Sequence, residues 1–586
     1  MRVLTARDDA VLIECDSLDE TIALFDAMTA LRIPGVGEMV PGARTLLVPF
    51  RPARVTAEEI EAAARGADLS GVRAGEPRRL EIPTRYDGED LTEVAELLGI
   101  SADEVVRRHT NSTFTVGFVG FAPGFAYLTG DDPVLDVPRR STPRTRIPAG
   151  SVALAGTYSG VYPRESPGGW QLIGTTDVAM WDLDRDPAAF MAPGDVVTFS
   201  VDAATTRARS TVSATSIVTS TDSVTSADSV TSAAPVTQTD PVTPADADAP
   251  RSAEPAHPEL PAPRAATSAI EVLSPGLQTL FQDLGRDGYA SMGVSASGAL
   301  DAPAHRQANR LVGNAPDAAT LEVAYGGLNI RARGPQVVAV TGAEVELTVS
   351  GALPRRVAFG AAFALDDGDE LRLGSPRAGV RSYVAVRGGF DAPPVLESLA
   401  TDLLAGLGPD AITAGDMLGV RLPDVPLSPA ISVADEAPRD LPSASGNTVE
   451  LRIVLGPRDD WFSAEEIARF TSQEWQVTPQ SNRVGVRLDG EALTRSQSGE
   501  LPSEGCVSGA LQMPPNGQPV LFLADHPLTG GYPVIGAVVS TDLALAGQLP
   551  VGSKVRFRIV DPRTHQPRTH KPRTQSSRTQ TPGELR

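Results

Sequence analysis

The chain reads as a mainly β protein, with a small α+β unit at the N-terminus and two related barrel-like modules behind it. Three observations carry that reading. Gly and Pro are frequent, 54 and 50 of 586 residues, and few long helical patterns run between them, which favours short strands and many turns. The stretch Gly168-Gly169-Trp170-Gln171-Leu172-Ile173-Gly174 recurs as Gly530-Gly531-Tyr532-Pro533-Val534-Ile535-Gly536. Turns at Gly194-Asp195, Gly368-Asp369, Gly415-Asp416 and Gly552-Ser553 each lead into an apolar run, as a repeated β architecture requires.

Residues 1–82 form the α+β unit. Ala10 to Cys15 is a strand, and Leu18 to Leu31 has helical spacing with Ile22, Leu24, Phe25, Met28 and Leu31 apolar. Strands follow near Val36 and at Thr45 to Phe50. Thr56 and Glu59 form a capping box for a helix from Ala57. With a strand at Arg79 to Ile82, the order resembles a ferredoxin-like split βαβ. Residues 83–201 are the first barrel candidate. Helices start near Asp90 and after Ser101, and strands run at Phe114–Phe121, Ser151–Ala155, Trp170–Ile173 and Val196–Phe199.

Residues 202–267 are dominated by Thr, Ser, Ala, Asp and Pro, with no Phe, Trp or Tyr. Such a segment buries too little to offset ordering entropy and reads as a disordered linker. A β-rich region spans 268–445, with strands at Ala269–Leu273, Val337–Val340, Val345–Val349 and Tyr383–Val386. Its helix, Ala302 to Val312, has Asp301 as N-cap and Pro303 near its start. Residues 446–560 are the second barrel candidate. The basic Pro-Arg-Thr repeats of 561–586 read as a disordered tail.

Net charge is −22 and the sequence pI about 4.8, so the folded part is not expected to bind nucleic acid. No run of about 18 apolar residues exists, so no membrane span is expected. Cys15 and Cys506 are the only cysteines and make neither a disulfide framework nor a metal motif; no metal-ligating set is expected, and a reducing cytoplasm fits. Lys554 and Lys571 are the only lysines. Residues 1–553 therefore hold no P-loop, biotin-carrier or Schiff-base lysine. Phosphate would need arginine, backbone N–H groups, a metal or a partner chain.

Three constellations are candidates for chemistry. The first runs from His109 to Trp170. Aromatic residues Phe121, Phe125 and Tyr127 form a collar, and Arg139, Arg140, Arg144 and Arg146 follow in a Pro-rich segment. Arginine forks grip carboxylate or phosphate through paired bonds; the alternative is that these arginines neutralise neighbouring acids. His109 is a candidate acid/base, with a structural histidine as the alternative. Gly168, Gly169 and Gln171 offer backbone N–H groups and an amide beside Trp170. The second constellation holds Gln282 and Asp283, then Gly298 to Asp301. The third holds Asn482 and Arg483, Cys506, Asp525 and His526, and Gly530, Gly531 and Tyr532. Asp525 and His526 are the leading acid/base candidates, although neighbours on a strand face opposite ways. Cys506 is a packed thiol or a nucleophile.

At these constellations the sequence resembles a known pair of enzyme components. Gly120-Phe121-Ala122-Pro123-Gly124-Phe125-Ala126-Tyr127-Leu128, the segment Pro143 to Val152 and the segment Glu165 to Gly174 resemble the B component of bacterial ATP-dependent 5-oxoprolinase, also called allophanate hydrolase subunit 1. That family includes a sporulation-kinase inhibitor. Gly276 to Arg286, Gly298 to Asp301, Ser481 to Arg487 and Asp525 to Pro533 resemble the C component, related to the inhibitor's antagonist and to the carboxyltransferase region of urea carboxylase. The resemblance implies a B–C fusion with cyclophilin-like β-barrels in both halves. It implies ATP-dependent opening of 5-oxo-L-proline to L-glutamate with a separate A component, Mg²⁺ accompanying the ATP phosphates, and no biotin on this chain. On that basis Arg144 and Arg146 would hold phosphate or carboxylate, and Gly168, Gly169 and Gln171 would contact substrate. Asn482, Arg483, Asp525 and His526 would complete the site from the other half. Two alternatives remain: the carboxyltransferase component of a biotin-dependent urea or amide carboxylase, and a regulatory protein that docks on a kinase. A flexible linker of roughly 65 residues raises the effective concentration of the halves, so they are expected to form one intimate complex.

Overall fold

A run of apolar residues with no polar break needs cover on both faces, and Ala10 to Ile13 is such a run. In the computed structural model it lies in a four-stranded antiparallel sheet, ordered Arg2–Arg7, Ala10–Glu14, Thr45–Pro49, Val40–Pro41. Val11 and Ile13 pack on helices Leu18–Leu31 and Ala57–Gly66, through Leu24, Met28 and Ile60. Ala10 and Leu12 face the other way, onto Val454, Ala510 and Phe522 of the second half. The Thr56–Glu59 capping box is formed. The structure describes residues 1–70, 77–140, 142–202, 268–421, 439–497, 499 and 501–565. The expected linker beyond Asp202 and the tail beyond His565 lie outside them.

One expected element belongs elsewhere. Strand Arg79–Thr84 does not close a ferredoxin-like sheet; it pairs in parallel with Val196–Val201. Ile82 is buried there beside Phe114, Val116 and Phe199, while the hairpin strand Arg2–Arg7 fills the N-terminal sheet instead. The resulting seven-stranded sheet runs Gln171–Thr175, Ser151–Ala155, Tyr158–Val161, Ala126–Gly130, Phe114–Val119, Val196–Val201, Arg79–Thr84. Its two edges meet in one bridge, where Arg85 and Thr175 exchange backbone hydrogen bonds of 2.8 and 2.7 Å.

The second half starts with sheets of seven and five strands. Ile270, Val272, Leu321, Val338 and Val384 fill the core around them. Helix Ala302–Val312 is capped by Asp301 and lies on Ala339, Tyr383 and Ala385. A closed seven-stranded barrel follows, ordered Val449–Leu455, Val534–Val538, Ala510–Gln512, Val520–Phe522, Gly485–Asp489, Trp475–Val477, Lys554–Ile559. Trp475, Phe470 and Phe557 fill its interior. Its first and last strands are parallel neighbours, as Arg79–Thr84 and Val196–Val201 are in the first half. All four expected turn-to-strand echoes lead into strands, at Val196, Glu370, Met417 and Lys554.

The halves are joined by polar staples as well as apolar contact. Glu38 accepts the Gly288 and Ala290 N–H groups at 2.8 and 2.7 Å, and Asp8 accepts the Ser540 N–H at 2.8 Å. Arg458 grips Glu504 through two bonds and reaches Glu14 of the first half at 2.9 Å. Arg458 and Glu504 are both buried. Removing one member of such a pair leaves a buried charge without compensation. Arg458→Met is therefore expected to destabilise the protein by about 3–5 kcal/mol, read from urea unfolding followed by tryptophan fluorescence.

Candidate functional site

Each Gly-Gly-aromatic stretch leaves a two-stranded ribbon and enters a barrel strand. In the first half the ribbon pairs Ser166–Gly168 with Arg144–Ile147; in the second it pairs Thr529–Gly530 with Glu504–Gly505. The two stretches line opposite walls of one cleft of about 650 Å³. Both ribbon ends are closely packed. A Cβ on Gly168 would lie 2.3 Å from the Tyr162 hydroxyl, and one on Gly530 would lie 2.5 Å from the Gln512 amide nitrogen. The halves meet closely beneath: a Cβ on Gly120 would lie 2.2 Å from Thr529 Oγ1.

The first wall is aromatic. Phe125, Tyr127 and Trp170 stack edge to face, with ring centroids 5.1 to 5.5 Å apart, and Tyr162 joins them at 5.3 Å from Phe125. The expected collar of Phe121, Phe125 and Tyr127 thus lines the cleft. The second wall is polar. Ser503, Gln512 and Thr529 line it, and the Tyr127 hydroxyl reaches across to Ser503 and Thr529. Burial raises the Tyr127 pKa, so its hydroxyl stays protonated and can donate. Thr529 Oγ1 is buried and makes no hydrogen bond of good geometry. Arg139 and Arg140 enter from one side and Arg495 from the other. The Arg495 guanidinium lies 5.7 Å from the Tyr532 ring centroid and donates to the Met513 carbonyl at 2.6 Å.

Several candidates from the sequence are scaffolding. Arg144 donates two bonds to Asp90, at 2.8 and 2.7 Å, and one to Glu89. Asp90 also takes Arg140 at 2.6 Å and the Leu172 N–H at 2.7 Å. Burial alone would raise the Asp90 carboxyl, but Arg144, the Leu172 N–H and Arg140 outweigh it and hold it low. Asp90 thereby ties helix Leu91–Leu98 to the ribbon and to the Trp170 strand, so Arg144 shapes the wall rather than meeting a ligand. Arg146 is exposed and pairs with Glu165 at 2.6 Å. Gln171 is buried behind Trp170, where its amide donates to the Pro138 carbonyl at 3.3 Å and supports the loop carrying Arg139.

His109 is a correction. It is fully buried between the Tyr86 hydroxyl at 2.8 Å and the Ser159 hydroxyl at 2.9 Å, packed on Phe114 and Phe199. Burial drives its pKa down to about 3, so it is a neutral core histidine. Asp525 and His526 lie in the turn between strands Val520–Phe522 and Thr529–Gly530 and meet different partners. Asp525 is buried against Arg483 at 3.0 and 2.9 Å, and accepts the Ser297 hydroxyl at 2.7 Å. Arg483 also reaches Glu322 at 2.5 Å and the Gly298 carbonyl at 2.7 Å, pinning the barrel to the preceding domain. His526 stacks on Phe522 and bonds the Pro527 carbonyl at 2.9 Å.

Gln282 donates to the Thr401 carbonyl at 2.8 Å, and Asp283 caps the turns at Gly285 and Leu399. Asn482 accepts the Val484 and Gly485 N–H groups and lies on a separate groove. The Cys506 thiol is buried and pushed up to about 12, which suits packing rather than attack. Of the named candidates, Gly168, Gly169, Gly530, Gly531 and Tyr532 are brought together at the cleft. Arg495 and Gln512 were missed. They sit in loop and strand contexts without a local motif, and only the barrel's closure brings them to the second wall. No group of three or more His, Cys, Asp or Glu suited to a metal ion is found among the described residues. Nor is any described helix long and apolar enough to cross a membrane.

Comparison with known proteins agrees with this geometry. Residues 292–559 match the family described as carboxyltransferase domain, subdomain A and B, and residues 1–191 match subdomain C and D. The chain is 37% identical over 290 residues to the C component of 5-oxoprolinase from Escherichia coli K12, covering 49% of this chain and 90% of that protein. It is 40% identical over 177 residues to the B component of 5-oxoprolinase from Escherichia coli O157:H7, covering 30% of this chain and 81% of that one. A more distant match, urea amidolyase of Lachancea kluyveri, is 31% identical over 309 residues, covering 49% of this chain and 17% of the amidolyase. The crystal structure of TTHA0988 superposes with a TM-score of 0.73 at 33% identity, covering 94% of this chain and 99% of that one. The chain belongs to this carboxyltransferase-domain family. It joins a B-type and a C-type component of 5-oxoprolinase in one polypeptide.

Burial lowers the His526 pKa from 6.5 to about 4. The unfolded imidazole therefore takes up a proton before the folded one, and stability falls as pH drops from about 6.5 to about 4. Above that window His526 is neutral in both states and contributes nothing. The difference in urea midpoint between His526→Gln and the parent protein is expected to shift in the variant's favour across that window and to stay flat from pH 7 to 8.

Proposed function

We propose that the chain is the combined B and C component of an ATP-dependent 5-oxoprolinase. Together with a separate A component it opens the lactam of 5-oxo-L-proline to L-glutamate, in the cytoplasm. The observation that carries this reading is the single cleft with one Gly-Gly-aromatic wall from each half. B-type and C-type relatives are separate polypeptides named for one enzyme, and a site lined by both gives a reason for that pairing.

The chemistry of the walls fits a small cyclic amide. Phosphoryl transfer from ATP to the lactam oxygen makes the ring carbon electrophilic. Water then adds, negative charge gathers on oxygen, and the ring C–N bond breaks as the nitrogen takes up the water's proton; a second water releases phosphate from the resulting acyl phosphate and leaves the carboxylate. Fixed donors aimed at such an oxygen supply much of the rate enhancement in acyl chemistry. Here the donors are the Tyr127 and Thr529 hydroxyls and the Gln512 amide. The aromatic wall excludes bulk water and strengthens those dipoles. ATP phosphates accompanied by Mg²⁺ find no P-loop lysine in residues 1–553 and no metal-binding carboxylate cluster among the described residues. No step here is built on the nucleotide or its metal.

The test is reconstitution. The purified chain mixed with a cognate A component is expected to release glutamate from 5-oxo-L-proline only when ATP is present. Thr529→Val is expected to lower kcat about 10²-fold, the scale of losing one oxyanion donor. Turnover of urea that requires bicarbonate and a biotin carrier, with no glutamate formed, would assign the chain to the carboxyltransferase reading instead.

A further inference from the structure

Three features of the cleft bear on what it binds. The first is an unspent cation. Among the described residues Arg495 makes no ion pair; one N–H goes to the Met513 carbonyl, and its buried Nε–H has no hydrogen-bond partner. Burial lowers its pKa and Tyr532 opposes that; among the described residues no carboxylate pairs with the part-buried guanidinium. The second is a facing cation. Arg139, from the other half, brings Nη1 within 3.9 Å of where a Gly531 Cβ would stand, and Arg495 lies over the ring of the next residue, Tyr532. The third is a polar cluster deeper in the same cleft. Tyr127, Ser503 and Thr529 meet there, and Thr529 Oγ1 is buried with no hydrogen bond of good geometry. Buried polar groups are ordinarily satisfied, so two under-satisfied groups lining one cavity point to a ligand that completes them.

We propose that the cleft is divided into two subsites: an anion subsite at Arg139, Arg495 and Gly531, which takes a carboxylate, and an amide subsite at Tyr127, Gln512 and Thr529, which takes the ring amide. This rests on the lactam reading above and goes beyond it by setting the orientation of the ligand and the source of selectivity. A planar guanidinium matches a carboxylate's two oxygens. The hydroxyls and the Gln512 amide can both donate to a carbonyl and accept from an amide N–H. Selection is then for a small cyclic amide bearing a carboxylate. A neutral lactam fills half the site, and urea offers Arg495 no carboxylate.

The chain assembled with the A component is titrated by calorimetry with 5-oxo-L-proline, 2-pyrrolidinone and urea. The parent protein is expected to favour 5-oxo-L-proline over 2-pyrrolidinone by about tenfold or more, the scale of one charge-assisted hydrogen bond. Arg495→Gln is expected to remove that preference, weakening the acid about tenfold while leaving 2-pyrrolidinone unchanged. Arg495→Lys is expected to restore part of it. Gly531→Ala puts a methyl group into the anion subsite and is expected to act on the acid alone, whereas Thr529→Val weakens both lactams alike. Unfolding midpoints of the variants report whether each is folded. Equal loss for both lactams in Arg495→Gln, or no loss for either, overturns the two-subsite division while the lactam reading stands. Binding of urea with no binding of either lactam overturns both.

Discussion

The placement of the second wall depends on one buried guanidinium. Arg458 holds Glu504, and Glu504 begins the ribbon that pairs with Thr529–Gly530. Its third bond goes to Glu14, at the end of a strand in the N-terminal sheet. One side chain thus fixes the Gly-Gly ribbon of the second half against the body of the first. Burying such a group is costly unless every donor is used, and Arg458 uses Nε and both terminal nitrogens. Burial tends to lower its pKa, but Glu504 and Glu14 outweigh that and raise it, so the clamp stays charged throughout the physiological range.

The first wall is held by the same device in a different place. Asp90 collects Arg140, Arg144 and the Leu172 N–H, and so fixes ribbon, loop and barrel strand together. In each half a buried carboxylate held by arginine anchors a two-stranded ribbon, the ribbon ends in Gly-Gly, and an aromatic residue follows. The parallel pairing of first and last strands in both barrels is consistent with a repeated module. Function then comes from the difference between the copies. One wall is ring-lined and the other carries Ser503, Gln512 and Thr529. Apposing them makes one cleft with a ring-lined side and a polar side, which neither copy provides alone.

Much of the architecture was legible because its signals are local. The Thr56–Glu59 capping box, the Asp301 cap and the turn-to-strand echoes depend on neighbours within a few residues, and each stands where the sequence places it. Arg79–Thr84 was misassigned because a strand's partner is not written in its own residues; only its pairing with Val196–Val201 identifies its sheet. The site was legible at the repeated Gly-Gly stretches and not at the charged residues. Arg144 and Asp525 look like ligand groups in sequence, but each is consumed by a buried partner far along the chain. Arg495 has no motif, and its lack of an ion pair among the described residues is a tertiary property. His109 shows the same limit in reverse: Tyr86 and Ser159, both distant in sequence, make it a core residue.

The central claim is that one ligand is shared by walls from two fused halves. A crystal structure of the full chain with 5-oxo-L-proline tests it most directly. Density is expected in the cleft between Trp170 and Gly530-Gly531-Tyr532, in contact with both walls. Density on one half only, or at a site away from this cleft, would contradict it.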